Sequence, residues 1–105
     1  MRVFGLIGYP LSHSFSKKYF TGKFEKEGLV DCRYELFSIA TIDELKNLLE
    51  ENTGLCGLNV TIPYKEQVLS FLQEKDNLVA QINACNCIAV KNGKLKGYNT
   101  DIAGF

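Results

Sequence analysis

Four short clusters of hydroxyl, amide and charged side chains could bind a small polar ligand. They occupy residues 8–16, 57–65, 82–87 and 97–104, and each lies where a predicted strand meets a loop. Open α/β sheets usually bind ligands outside the carboxyl ends of their strands. The four positions therefore favour a ligand site at one edge of a sheet.

The first cluster has the composition of an anion site. It places Ser12, His13, Ser14 and Ser16 just before a predicted helix. Backbone N–H groups at a helix N-terminus and serine hydroxyls can together bind a carboxylate without a full positive charge. Taken alone, the cluster favours a simpler interpretation, in which Ser14 or Ser16 only caps the helix. One hydroxyl can cap while its neighbour binds a ligand.

The second cluster contains a candidate for proton transfer. Asn59 and Thr61 alternate at the end of a strand, which predicts that their side chains face the same side. Lys65 is predicted in the first turn of the next helix, where the positive end of the helix dipole disfavours the charged amine. Such a lysine could exchange a proton at neutral pH. An isolated lysine is more often a solvated surface residue.

The third and fourth clusters are ambiguous when taken singly. Asn83 and Asn86 precede a strand, and asparagine is common in turns for purely geometric reasons. Asp101 could cap a helix, or it could present its carboxylate to Lys65 across a cleft. Their positions at corresponding strand ends favour the ligand site.

Apolar patterning predicts the elements that position these clusters. Strands are expected at residues 3–8, 33–39, 55–60, 87–90 and 95–98, the last two joined by a hairpin through Asn92-Gly93. Helices are expected at residues 16–26, after a Thr41 N-cap with Glu44 reaching back, from Pro63 to about Leu72, and at 78–82. This β-α-β-α-β order predicts an α/β fold, a three-layer sandwich with a mostly parallel mixed sheet in a single truncated domain.

Composition limits the partners. The 105 residues carry twelve Lys plus Arg and twelve Asp plus Glu, so no bulk charge would hold a nucleic acid or an anionic membrane. No apolar run approaches the roughly 20 residues that span a bilayer. The cysteines, at positions 32, 56, 85 and 87, form no C-x-x-C pair, which favours buried free thiols in a cytoplasmic protein over a zinc site. A small ligand is the expected partner.

The clusters resemble the motifs of the shikimate dehydrogenases. Residues 8–16 match G-x-P-(I/L)-x-H-S-x-S, with Lys17 where proline is usual, and residues 57–65 match G-x-N-V-T-x-P-x-K. Residues 97–104 match G-x-N-T-D-x-x-G. The G-A-x-N-T segment is altered to Asn83-Ala84-Cys85-Asn86-Cys87. The resemblance covers the whole chain, with the motifs in the family's order.

The resemblance implies one half of a two-domain enzyme that reversibly reduces 3-dehydroshikimate to shikimate with NADPH in aromatic amino-acid biosynthesis. It implies that Ser14, Ser16 and Thr61 bind the substrate carboxylate. It also implies that Asn59, Asn86 and Asp101 bind ring hydroxyls. Lys65 would be the catalytic residue and Asp101 its partner.

The resemblance also implies a second, nicotinamide-binding Rossmann domain, and this chain has no G-x-G-x-x-G. Residues 1–105 are therefore expected to form the N-terminal shikimate-binding catalytic domain, with no NADP bound and no activity on its own. Asn99-Thr100-Asp101 looks like a helix N-cap followed by only four residues, as expected of a chain cut from a longer protein. Three alternatives stay open: a quinate/shikimate dehydrogenase paralogue, a stand-alone module that binds a small hydroxy acid, and a purely structural domain.

Overall fold

The computed structural model describes residues 2–11, 15–28 and 30–100, along which strands and helices alternate. The strands are β1 (Arg2–Gly8), β2 (Cys32–Ser38), β3 (Leu55–Val60), β4 (Glu74–Lys75), β5 (Cys87–Lys91) and β6 (Lys94–Tyr98). The helices are α1 (Phe15–Lys26), α2 (Glu44–Glu51) and α3 (Asn77–Ile82), with a 3-10 helix at Gln67–Phe71.

The strands form one mixed sheet in the order β2-β1-β3-β5-β6-β4. β1 pairs in parallel with β2 and β3, and β4 pairs in parallel with β6. β5 is antiparallel to both of its neighbours, β3 and β6. Only β5 therefore runs against the others within the described sheet, and the predicted mixed, mostly parallel sheet is confirmed.

This topology brings the four polar clusters to the same edge. β1, β3 and β6 end there, and β5 begins there because it runs in the opposite direction. We call this the carboxyl edge; it is formed by Gly8, Ser38, Val60, Cys87 and Tyr98.

Helices cover both faces of the sheet, as a three-layer sandwich requires. On one face, α2, the 3-10 helix and α3 contribute Leu45, Val68 and Val79, each fully buried. These side chains join strand residues such as Ile7 and Leu58 in one core cluster. On the other face, α1 packs on β1 and β2, and the rings of Phe4 and Phe24 lie 5.9 Å apart. Among the described residues, no helix is long and apolar enough to cross a membrane.

The predicted α-helix from Pro63 to about Leu72 is wrong. The chain turns after a cis Ile62–Pro63 peptide and forms only the 3-10 helix. The Lys65 carbonyl, which an α-helix would pair with Leu69, instead accepts a hydrogen bond of 2.8 Å from the Cys85 N–H. The Leu69 N–H donates to Glu66 at 3.1 Å, so a tertiary contact replaces a helical one.

Two further details differ from the sequence predictions. α2 has Asp43 rather than Thr41 as its N-cap, although the Glu44 carboxylate still accepts a 2.9 Å bond from the Thr41 N–H. The two-residue strand β4 is not predicted from the sequence, because exposed charged residues carry no strand pattern and the strand exists only through pairing with β6. The hairpin is confirmed: Asn92 and Gly93 have positive φ angles of 54° and 76°.

Candidate functional site

The first and second clusters contact each other at Gly8. The Tyr9 N–H donates to the Ile62 carbonyl at 3.1 Å, and the Thr61 N–H donates to the Ile7 carbonyl at 3.0 Å. A Cβ on Gly8 would lie 2.5 Å from Cγ2 of Thr61 and 3.1 Å from the Ile62 carbonyl oxygen. Glycine is therefore required for the two loops to approach so closely.

The second and third clusters are also joined through their backbones. The Cys85 N–H bonds to the Lys65 carbonyl, and the Val60 N–H donates to the Asn86 carbonyl, both at 2.8 Å. The Lys65 side chain is half-buried. The loops that carry Lys65 and Asn86 therefore adjoin at the carboxyl edge.

The structure overturns one reason for selecting Lys65. Lys65 lies in a turn two residues before the 3-10 helix begins at Gln67, so it is not in a first helical turn. The helix-dipole effect expected for it does not apply. The remaining reason for selecting Lys65 is its position among the four loops at the carboxyl edge.

The third and fourth clusters meet through the side chain of Asn86. Its Nδ2 donates to Oγ1 of Thr100 at 2.9 Å, and its Oδ1 accepts from the Thr100 N–H at 3.0 Å. Nearby, the buried Asn99 donates from Nδ2 to the Ala84 carbonyl at 3.1 Å. Thr100 thus fixes both ends of the Asn86 amide. Asn83, by contrast, serves loop geometry, with a φ of 60° after α3.

Asn59 lies on the α1 face of the sheet, and its side chain takes no part in the hydrogen bonds between the loops described above. Its Nδ2 donates to the Tyr34 hydroxyl at 2.8 Å. Both residues line an apolar groove of about 320 Å³, together with Phe4, Phe24, Cys56 and Tyr98 among others. Thr61, Lys65 and Asn86 do not line this groove. The groove and the carboxyl edge are therefore neighbouring features, and Asn59 lies between them.

The cysteines of the third cluster are not poised for reaction. Burial raises the pKa of both the Cys85 and Cys87 thiols, which keeps them protonated at neutral pH. All four cysteines are free; Cys85 is buried, whereas Cys32, Cys56 and Cys87 are only partly buried. Within residues 2–11, 15–28 and 30–100, no group of three or more His, Cys, Asp or Glu side chains could hold a metal ion.

The side chains of three predicted site residues lie outside the part of the chain that the structure describes. Ser14 and Asp101 lie outside the described residues, and Ser16 is described only as part of α1. The predicted pairing of Lys65 with Asp101 therefore stays a prediction. Sequence reasoning assigned no role to Tyr34 or Thr100. Thr100 could have been found from its place in a motif, whereas Tyr34 carries no comparable signal.

The family model for the shikimate dehydrogenase substrate binding domain matches residues 6–88 of this chain. The chain belongs to the shikimate dehydrogenase family. The match covers three of the four clusters, those at residues 8–16, 57–65 and 82–87.

Curated relatives of the family align over nearly all of the chain. Shikimate dehydrogenase (NADP(+)) from Clostridium perfringens is 43% identical over 107 residues and covers 100% of the chain. The enzyme of the same name from Chlorobium chlorochromatii is 42% identical over 106 residues and covers 99%. The chain spans only 39% and 37% of the length of these two relatives.

Solved structures share the fold. Shikimate 5-dehydrogenase from Thermus thermophilus, in complex with NADP(H) and shikimate, is 31% identical with a TM-score of 0.87. The alignment covers 100% of this chain and 40% of that protein. A ligand-free 5-ketofructose reductase from a Gluconobacter species has the same TM-score of 0.87 at 26% identity, covering 99% of this chain and 38% of that one.

Proposed function

We propose that this chain is the shikimate-binding catalytic domain of an NADP-dependent shikimate dehydrogenase, which reversibly reduces 3-dehydroshikimate to shikimate. The observation that carries the proposal is the convergence of the four motif loops at the carboxyl edge. Hydrogen bonds tie Tyr9 to Ile62, Lys65 to Cys85, and Asn86 to Thr100. Loops fixed in this way can hold several polar side chains around one small ligand.

Each matched residue has a proposed role that suits its chemistry. Ser14, Ser16 and Thr61 bind the substrate carboxylate through hydroxyl groups. Asn59, Asn86 and Asp101 bind ring hydroxyls, since amides and carboxylates offer the acceptors and donors that vicinal hydroxyls need. Because Thr100 fixes the Asn86 amide at both ends, that amide meets the ligand in one orientation.

Lys65 is the proposed proton donor. As the carbonyl at C3 of 3-dehydroshikimate becomes an alkoxide, the Lys65 ammonium gives it a proton; in the reverse direction the amine takes the proton from the alcohol. Asp101 holds the ammonium and the substrate hydroxyl in line. The backbone bond from Cys85 to the Lys65 carbonyl supports this role, because it fixes the segment from which the lysine extends.

The residues that the structure describes do not fit NADP. The 105 residues contain no glycine-rich dinucleotide fingerprint, and the cavity at the α1 face is an apolar groove rather than a phosphate-binding loop. We place cofactor binding in a Rossmann domain outside this chain, and the roles proposed for Lys65 and Asp101 concern only the proton and its alignment. We also propose that the enzyme works in the cytoplasm, in aromatic amino-acid synthesis through chorismate, which accords with four free cysteines.

A shikimate titration of the 105-residue chain, followed by ¹⁵N-resolved NMR, tests the binding role. We expect weak binding that shifts the amide signals of Thr61, Lys65, Asn86 and Thr100 together. Signals of the hairpin residues Asn92 and Gly93 serve as an internal control and should not move. Shifts confined to the hairpin or to the face covered by α2 would contradict the proposed site.

A further inference from the structure

Tyr34 lies outside all four polar clusters, yet its hydroxyl contacts a proposed ligand-binding residue. It occupies the middle of β2, pairs with Phe4 of β1, and is 3% exposed. Its hydroxyl reaches the Asn59 amide on β3 at 2.8 Å. Because β1 lies between β2 and β3, the side chain crosses a whole strand, about 10 Å from one backbone to the other.

The backbone of Asn59 is fixed by the sheet, so only its side-chain torsions are free. Asn59 pairs with Leu6 of β1 on one side and with Cys87 of β5 on the other. An asparagine amide can present either its NH₂ group or its carbonyl oxygen to a ligand. The bond from Nδ2 to Tyr34 selects one orientation and directs Oδ1 away from the tyrosine.

The groove around Tyr34 and Asn59 strengthens the restraint that their hydrogen bond places on the Asn59 amide. Tyr34 and Asn59 line the same groove, whose other lining residues include Phe4, Phe24 and Cys56. In apolar surroundings an amide has few alternative hydrogen-bond partners. Among the described residues, it is the Tyr34 hydroxyl that accepts a hydrogen bond from the Asn59 side chain.

We propose that Tyr34 is a positioning residue of the substrate site, which orients the Asn59 amide so that its carbonyl oxygen accepts a hydrogen bond from a ligand hydroxyl. The inference rests on the proposed function, in which Asn59 binds a ring hydroxyl. A preoriented amide need not be ordered when the ligand binds, and ordering one free side chain weakens affinity roughly 2- to 10-fold.

Tyr34→Phe in the full-length protein is the central test, because it removes only the hydroxyl. We expect the KM for shikimate to rise roughly 2- to 10-fold, while kcat and the KM for NADP stay near their wild-type values. Tyr19→Phe is the control: it removes a hydroxyl from an exposed tyrosine of α1, outside all four clusters, and should leave all three constants unchanged. An unchanged shikimate KM in Tyr34→Phe, or an equal rise in Tyr19→Phe, would overturn the inference.

A double-mutant cycle separates positioning from general packing. In an Asn59→Ala background the amide is gone, so Tyr34→Phe should cause no further rise in the KM for shikimate. Equal rises in both backgrounds would mean that Tyr34 acts through packing alone. No rise in Asn59→Ala itself would remove Asn59 from the site and the inference with it.

A measurement on the unaltered protein covers the case in which the variants do not fold. In the ligand-free state, ¹⁵N relaxation of the Asn59 side-chain NH₂ should give an order parameter close to that of rigid backbone, about 0.85. A value below about 0.6 would show a freely moving amide and contradict the inference. Absence of shikimate binding by the wild-type protein would instead overturn the proposed function, and this inference would fall with it.

Discussion

The two edges of the sheet hold their side chains in different ways. At the carboxyl edge, neighbouring loops share hydrogen bonds of 2.8 to 3.1 Å, among them Lys65 with Cys85 and Tyr9 with Ile62. At the opposite edge, where β1, β2 and β3 begin, the side chains of Arg2 and Asp31 form an ion pair at 3.5 Å and are 53% and 61% exposed. Backbone hydrogen bonds join neighbouring segments at the opposite edge too, from Arg2 to Asp31 at 2.8 Å and from Val3 to Gly54 at 2.9 Å. The two edges therefore differ in their side chains. At the carboxyl edge the buried Tyr64 hydroxyl donates to the Ile39 carbonyl, and such a bond is costly to break, whereas an exposed ion pair contributes little to stability.

The largest effect is expected from Lys65→Ala in the full-length enzyme. If the carboxyl edge carries the chemistry, turnover of shikimate should fall roughly 10²- to 10⁴-fold, because the proton donor is lost. The KM for shikimate should change much less, as for a group that acts mainly in the transition state. Absorbance of NADPH at saturating shikimate measures the loss, and Lys94→Ala, in the exposed hairpin, is the matched control. Turnover near wild type in Lys65→Ala would contradict its role.

Tyr64→Phe should destabilise the fold by about 1 to 3 kcal/mol. The buried Tyr64 hydroxyl donates to the Ile39 carbonyl and ties the Lys65 loop to the end of β2, so its loss leaves a buried acceptor unpaired. Urea unfolding at pH 8 measures the change. Tyr98→Phe should shift the unfolding midpoint far less. Equal midpoints for the two variants would contradict a stabilising role for the hydrogen bond from Tyr64 to Ile39.

The same tyrosine predicts a pH dependence. Burial raises the pKa of Tyr64 above its ordinary value of 10.0, so the folded state favours the neutral phenol. Its contribution to stability is fully present below pH 10 and is lost as the pH rises through the higher folded value. Above that ordinary value, wild type should therefore lose stability faster than Tyr64→Phe, as measured by urea unfolding at stepwise increasing pH. Equal losses of stability with rising pH in wild type and in Tyr64→Phe would show that ionisation of Tyr64 is not coupled to unfolding.

Thr100→Val should have a smaller effect, because Thr100 is exposed and one of its two bonds to Asn86 uses the backbone. Loss of the hydroxyl acceptor should cost about 0.5 to 1.5 kcal/mol and shift the Asn86 side-chain NMR signals. Thr100→Ser keeps the hydroxyl and should restore both properties. Unmoved Asn86 signals in Thr100→Val would show that the hydroxyl does not hold the amide.

The smallest effect is expected at the opposite edge. The hydrogen bond and charge of Arg2 lower the pKa of Asp31, so this pair contributes above the ordinary titration range of aspartate and is lost as the pH falls through the lowered value. Because both groups are solvated, Asp31→Asn should leave the urea midpoint at neutral pH unchanged within error. A clear drop would mean that the two edges are held more alike than the contacts indicate.

Sequence reasoning found most of the elements because their signals are local. The β1 and β3 strands are short apolar runs, the Asn92-Gly93 turn requires positive φ angles, and α1 has apolar residues at helical spacing. The helix predicted from Pro63 failed because the Lys65 carbonyl is taken by Cys85 from another part of the chain. β4 was missed because pairing with β6, rather than its own composition, makes it a strand.

For the site, the residue types and their order along the chain identified the family and the four loops. Local patterns also located those loops at strand ends, since strands and turns depend mainly on neighbouring residues. The partners of each side chain depend on contacts between residues far apart in sequence. Only folding brings Thr100 to Asn86, Cys85 to Lys65, and the Tyr34 hydroxyl across β1 to Asn59. These contacts depend on strand order and register, which no single segment of the chain encodes.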